Sequence, residues 1–267
     1  MRVITVLALL LAVSGCGSSG PASVASKASL VIGVKADQPG LGLAGPHGGT
    51  FQGFDVDVAR YVASKLGASH VTFRAITSAQ REAWLQNGTV DMVLATYSIT
   101  PQRETKVTFG GPYYVAHQDT LVTAAETSIH TVHDLAGRRL CAVPGSASAP
   151  RITVALGIPA QQVSAPSYSS CISGLLAGSL DAVSTDDLIL AGFAAMNGGA
   201  VRLLNAPLSD ERYGVGLRKG DVDGCEAVNR AITAMYQDGT AHTLLSKWFG
   251  ATGLQLSTAV PQFEGCT

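Results

Sequence analysis

Short apolar runs alternate with helical periods along most of the chain, and that alternation limits the fold more than any other feature. Leu30–Val34, Val71–Ile76, Val90–Ala95, Arg139–Val143, Leu180–Thr185 and Tyr213–Leu217 read as strands. Gly53–Leu66, Ala79–Asn87, Ser169–Gly178, Asp223–Gln237 and Thr240–Phe249 read as amphipathic helices, and Thr131–Ala136 as a short helical turn. Such alternation builds open α/β sheets, whose ligands bind beyond the C-terminal ends of the strands. At those ends this chain delivers polar residues: Thr96 to Arg103 after the third strand, Gly145 to Ser148 after the fourth, and Asp186 with Asp187 after the fifth. The expected fold class is α/β, with two lobes offering loops to a shared cleft.

The strongest helix is Gly53–Leu66, where Phe54, Val58, Val62 and Leu66 recur every four residues. Asp55 and Asp57 fall in its first turn, Lys65 near its end, and Gly67 supplies a stop. The two carboxylates read as a helix start with local hydrogen bonding rather than as an acid/base pair. Gly40, Gly42 and Gly45 match GxGxxG, but Pro46, Gly48 and Gly49 follow where a dinucleotide site needs a helix N-terminus. A glycine-rich loop at the mouth of the cleft is the better reading.

The N-terminus is different in kind. Val3–Val13 is an eleven-residue apolar run behind a single positive residue, Arg2. It is shorter than a bilayer span by roughly seven residues or more and suits a secretory signal. Val13-Ser14-Gly15-Cys16 follows directly and resembles a lipobox, which makes Cys16 the expected lipidation site. Residues 1–16 are then a lipoprotein signal and 17–29 a small, polar, flexible tether. Two or more acyl chains would anchor the chain firmly to the outer face of the cytoplasmic membrane, whereas one alone is marginal. With Cys16 spent, four of the five cysteines remain. An oxidising compartment suits two disulfides, of which four cysteines admit three pairings. Cys141–Cys171 with Cys225–Cys266 is favoured, because each pair then stays inside one inferred lobe. No CxxC or Cys/His cluster points to a metal, and no cofactor is expected. The net charge of −1 excludes a general electrostatic grip on nucleic acid.

From Gly53-Phe54-Asp55-Val56-Asp57-Val58 onward the chain resembles the family-3 extracellular solute-binding proteins, the polar amino-acid receptors of ABC importers. The resemblance spans about residues 30–250. It continues in Gly88-Thr89-Val90-Asp91-Met92-Val93, Ile99-Thr100-Pro101-Gln102-Arg103, Phe109-Gly110-Gly111-Pro112-Tyr113-Tyr114, Tyr213-Gly214-Val215-Gly216 and Lys247-Trp248-Phe249-Gly250. Lys35 to Gly42, Ser78-Ala79-Gln80-Arg81-Glu82, Ala95 to Ile99 and Tyr168 to Cys171 are most similar to the glutamate-binding lipoproteins of Gram-positive uptake systems. The resemblance implies a type II periplasmic-binding fold with two crossover hinge strands, near Tyr113–His117 and Pro207–Tyr213. Lobe one would comprise residues 30–115 and 214–267, lobe two residues 116–213. The resemblance also supports the 141–171 disulfide, while 225–266 rests on cysteine arithmetic alone.

It further implies roles for single residues. Arg103 corresponds to the arginine that forks onto the ligand α-carboxylate, and Ser98 to the position that adds a hydroxyl and an N–H. Ser146 and Ala147 would add N–H donors from the facing lobe. The Thr96 carbonyl and Asp186 would receive the ammonium. Lys35, Ser78 and Arg81 fall where acidic-amino-acid receptors hold the side-chain carboxylate, and Tyr168 reaches in from lobe two. Two extra cations would select glutamate or aspartate over glutamine and asparagine. Ser78 stands where the wider family often has a stacking aromatic, which weakens a glutamine or basic-amino-acid reading. The expected partners are a small amino acid, the importer's permease and ATPase subunits, and a lipid anchor on a monomeric receptor.

Two rivals are weighed against this. A dehydratase of the prephenate or arogenate type on the same fold would need a poised acid; the six histidines form no HExxH, and no GxSxG is present. A sensor domain of a signalling receptor would be expected to carry a transmembrane helix or kinase module beyond Thr267.

Overall fold

The structure is a computed structural model that describes residues 22–266. The expectations for Cys16 and for the signal segment lie outside the described residues. Among the described residues, no helix is long and apolar enough to cross a membrane.

Among the described residues, twelve strands form three sheets. In chain order they are β1 (Ser29–Val34), β2 (Asp37–Gln38), β3 (Gly42–Ala44), β4 (Phe51–Gln52), β5 (His70–Ala75), β6 (Met92–Val93), β7 (Val107–Thr123), β8 (Arg139–Ala142), β9 (Gln161–Ser164), β10 (Val183–Asp186), β11 (Val201–Leu203) and β12 (Ser209–Arg218). The main sheet runs β10-β7-β12-β6-β1-β5, with β11 also on β7. β1 is parallel to β5 and β6, and β12 runs antiparallel to β6 and β7. At 17 residues β7 is about 55 Å long, enough to traverse both lobes. It pairs with β12 from Ser209↔Gln118 to Arg218↔Val107, with a register shift between Tyr213 and Val215. These two strands are the crossovers.

The helices are α1 (Phe54–Lys65), α2 (Arg81–Gln86), α3 (Pro101–Glu104), α4 (Ser148–Pro150), α5 (Tyr168–Leu176), α6 (Asp187–Met196), α7 (Val222–Gln237) and α8 (Thr240–Phe249). α1, α7 and α8 pack together through Phe54, Val58, Val62, Val228, Ile232 and Phe249, all within 1% of full burial. The glycine loop forms no phosphate cradle; it folds as the β2-β3-β4 meander.

Three features depart from expectation. The tether is shorter: Val24–Ser26 is a 3₁₀ turn, Val24 is buried, its N–H donates to Asp221 (3.0 Å), and Lys27 pairs with Asp91 (2.5 Å). The apolar residues of Val90–Ala95 are all buried, yet only Met92–Val93 pair as a strand. Thr96 takes φ +46°, a left-handed conformation costly for a β-branched residue, and interrupts the strand before the chain rejoins β12 at Ser98↔Tyr213. Finally, Asp55 and Asp57 bond across the fold. Asp57 receives Lys247 (2.8 Å) and Trp248 (2.9 Å) from α8; Asp55 receives the Thr96 N–H (2.8 Å) and the Tyr113 hydroxyl (2.8 Å).

Cys141–Cys171 ties β8 to α5, and Cys225–Cys266 ties α7 to the C-terminal tail. They close loops of 30 and 41 residues, each expected to contribute about 3–4 kcal/mol by restricting the unfolded chain. The Cys225→Ser/Cys266→Ser double variant should therefore lose about that much stability in denaturant melts. A melt unchanged within error would show that the bond does not form in solution.

Candidate functional site

The polar residues at the strand ends converge. β6 ends in the Thr96–Ser98 turn, held by Asp55, and Thr100 caps α3 so that Arg103 turns back over it. From the other side come the Gly145–Ser148 loop after β8, Tyr168 at the start of α5, and Asp186 at the end of β10. Together they line a cleft that their own atoms nearly fill, leaving a cavity of about 10 Å³. Ser78, Arg81, Thr96, Ser98, Arg103, Ser146, Ala147, Tyr168 and Asp186 all line it. Lys35 does not. It lines a neighbouring cavity of about 220 Å³ and reaches the first one through its 2.7 Å bond to Ser78 Oγ.

Lys35, Arg81 and Arg103 are 5%, 2% and 8% exposed, and no ion pair among the described residues includes any of them. Their partners are neutral oxygens. Arg103 donates to the Ser98 carbonyl (2.7 Å) and the Gly145 carbonyl (3.0 Å). Arg81 spends four N–H bonds on the carbonyls of Ser78, Ala95, Thr96 and Gly145, at 3.0–3.1 Å. It thus cradles the strand-end turn. Both guanidiniums also lie over the Tyr97 ring, at 4.3 and 5.1 Å, a favourable cation–π arrangement when desolvated. Burial, then the Arg103 charge, lowers the Arg81 pKa to about 9, which leaves it charged at neutral pH. Burial, then the Arg81 charge, lowers the Lys35 pKa to about 7. Asp37 and Asp55 lie near enough to act on Lys35 without contacting it, so three convergent cations with no carboxylate in direct contact make a site that an anion would stabilise.

The opposite wall is acidic. Asp186 is 4% exposed and accepts from the Tyr213 hydroxyl (2.7 Å). Burial, then the nearby Glu211 carboxylate, pushes its pKa well up. Glu211 also lines the cavity, paired with Arg151 at 2.5 Å. Facing cations and a carboxylate poised for a cation are the two halves of a clamp for a zwitterion.

The cleft is shut by the chain's own atoms. The Gly145 carbonyl occupies both arginines, and Gly145 itself takes φ +79° with the Ser78–Ala79 backbone 2.6 Å from where a Cβ would sit. Asp37 accepts from the Ser169 hydroxyl (2.9 Å) and N–H (3.4 Å).

Several lining or supporting residues are absent from the sequence reading. Tyr97, Glu211, Ser148 and Thr185 act within the site but sit in segments whose pattern shows only strand or loop. Asp55 had a signal, its place in the first turn beside the apolar positions Val58 and Val62 of α1, yet its full burial is read only once the fold is known.

A family model described as bacterial extracellular solute-binding proteins, family 3, matches residues 30–251. The chain belongs to that family. This family-3 protein is 40% identical over 258 residues to the glutamate-binding protein GluB of Corynebacterium glutamicum, covering 92% of this chain and 86% of the relative. It is 32% identical to the ABC transporter glutamine-binding protein GlnH of Bacillus subtilis, over 93% of this chain and 95% of the relative. Among solved structures it matches an ancestral arginine-binding protein bound to glutamine with TM-score 0.77 and 32% identity, covering 84% of this chain and 99% of that one. The family-3 protein shares with these neighbours a two-lobed amino-acid-binding fold.

Proposed function

We propose that this protein is the ligand-capturing receptor of an ABC importer for L-glutamate, with aspartate, glutamine and asparagine as weaker ligands. One observation carries the reading: Lys35, Arg81 and Arg103 are buried together with no carboxylate of the described residues in direct ion-pair contact, opposite Asp186. Arg103, the Ser98 hydroxyl and N–H, and the N–H groups of Ser146 and Ala147 receive the α-carboxylate. Asp186 and the Thr96 carbonyl receive the ammonium. Lys35, through Ser78, pairs with the side-chain carboxylate, and Arg81 holds the turn on which these groups stand. Tyr168 braces the far wall through Ser146 Oγ (2.7 Å).

The process is binding without covalent chemistry. Ligand settles on lobe one (residues 30–115 and 214–267), and lobe two (residues 116–213) closes by bending at β7 and β12. The α-carboxylate displaces the Gly145 carbonyl from both arginines, so the bound closed state differs from the empty one in the contacts a permease surface reads. Export and acylation at Cys16 hold the receptor beside that permease.

Calorimetric titration against the common L-amino acids tests the reading. Glutamate is expected to bind most tightly. Failure of glutamate, aspartate, glutamine and asparagine to bind sinks the assignment; glutamine binding more tightly than glutamate sinks the role of Lys35.

A further inference from the structure

Beyond the clamp lies a chamber of which free glutamate uses only the Lys35 end. This cavity of about 220 Å³ shares Ser78 and Tyr168 with the clamp cavity; Ala75, Ile76, Val143 and Pro166 give it an apolar wall, and Lys35 and Asp37 a charged one. At about 220 Å³ it has room for one small residue beyond the clamp and is smaller than the roughly 300–1,000 Å³ of sites for drug-sized ligands. Lys35 stands in it as a buried ammonium bonded to Ser78 Oγ. The two cavities thus meet at a pair of hydroxyl-bearing side chains, with a zwitterion clamp on one side and a cation beside an apolar wall on the other.

We infer that the receptor also captures γ-glutamyl dipeptides with a small apolar second residue. The glutamyl α-ammonium and α-carboxylate, both free in a γ-linked peptide, sit in the clamp. The γ-amide passes Ser78 and Tyr168. The terminal carboxylate meets Lys35, and the apolar side chain lies against Ala75, Val143 and Pro166. An anion there restores the Lys35 charge that burial suppresses. An α-linked dipeptide is rejected, because its peptide bond consumes the carboxylate that Arg103 needs. The inference rests on the glutamate-receptor reading above.

Calorimetry on the full-length chain in detergent, with L-glutamate, γ-L-glutamyl-L-valine and α-L-glutamyl-L-valine as titrants, tests it. The γ-dipeptide is expected to bind within about a hundredfold of glutamate and the α-dipeptide more than about a thousandfold weaker. Ala75 is exposed at the end of β5, so Ala75→Phe fills the chamber with little risk to the fold; Pro166→Trp does so from the facing wall. Each should weaken the γ-dipeptide about tenfold or more while glutamate stays within about twofold. Glutamate binding with a γ-dipeptide weaker than the hundredfold limit overturns the inference and leaves the receptor reading standing. Indifference of the γ-dipeptide to both chamber-filling variants also overturns it. No binding of either titrant overturns both readings.

Discussion

Arg103→Ala is expected to weaken every L-α-amino acid the cleft accepts by about 3–5 kcal/mol, the usual cost of removing one partner from a buried charge pair. That is two to four orders of magnitude in Kd. Arg103 is 8% exposed, its head is aimed by the Ser98 carbonyl, and its remaining donors point to where the Gly145 carbonyl now sits. Its contact lies on the part common to all α-amino acids, so glutamate and glutamine should suffer alike. Arg103→Lys should recover only part of the loss, since an ammonium cannot fork onto both carboxylate oxygens. Titration of both ligands against the two variants checks this, with thermal melts to show that the variants fold. Unchanged affinity in Arg103→Ala would refute the clamp.

Much of this site could be read from the chain, for a physical reason. Where strands alternate with helices, polar residues just past a strand have only the cleft to face, and Thr96, Ser98, Arg103 and Asp186 all stand there. What stayed hidden depends on long-range packing. Nothing local shows that Asp55 reaches 41 residues onward to fix Thr96; a first-turn carboxylate ordinarily serves its own helix. Nor does local pattern show that Arg81 is consumed by carbonyls, since that needs the Thr96 turn and the Gly145 loop already in place. The short β6 has the same origin: apolarity announces burial, whereas the break at the left-handed Thr96 and the renewed bridge from Ser98 to β12 need the fold.

Lys35 carries the choice between acid and amide. Lys35→Met should cost glutamate about 3–5 kcal/mol by leaving its side-chain carboxylate buried and unpaired, and cost glutamine about 1 kcal/mol, one neutral hydrogen bond. The preference then inverts. The pH dependence has a definite sign. In the empty cleft burial holds the Lys35 pKa near 7, below its ordinary 10.5. A ligand carboxylate beside it favours the ammonium and raises that pKa. Glutamate therefore draws on a proton that is already present below pH 7 but must be taken up above it, and its affinity falls as pH rises past 7, by at most about 1.4 kcal/mol per pH unit. Asp186 acts in the other direction: its raised pKa makes the ligand ammonium bind less well as pH falls. That effect is common to all α-amino acids, so it cancels in the ratio of glutamine to glutamate Kd. The ratio should shrink from pH 7 to 9 in the native chain and stay flat in Lys35→Met. For folding, the same depressed pKa means the cost of burying the charge is fully felt below pH 7 and is relieved between 7 and 10.5, so the empty native protein should gain stability over that window. A ratio independent of pH in the native chain would place the side-chain carboxylate away from Lys35.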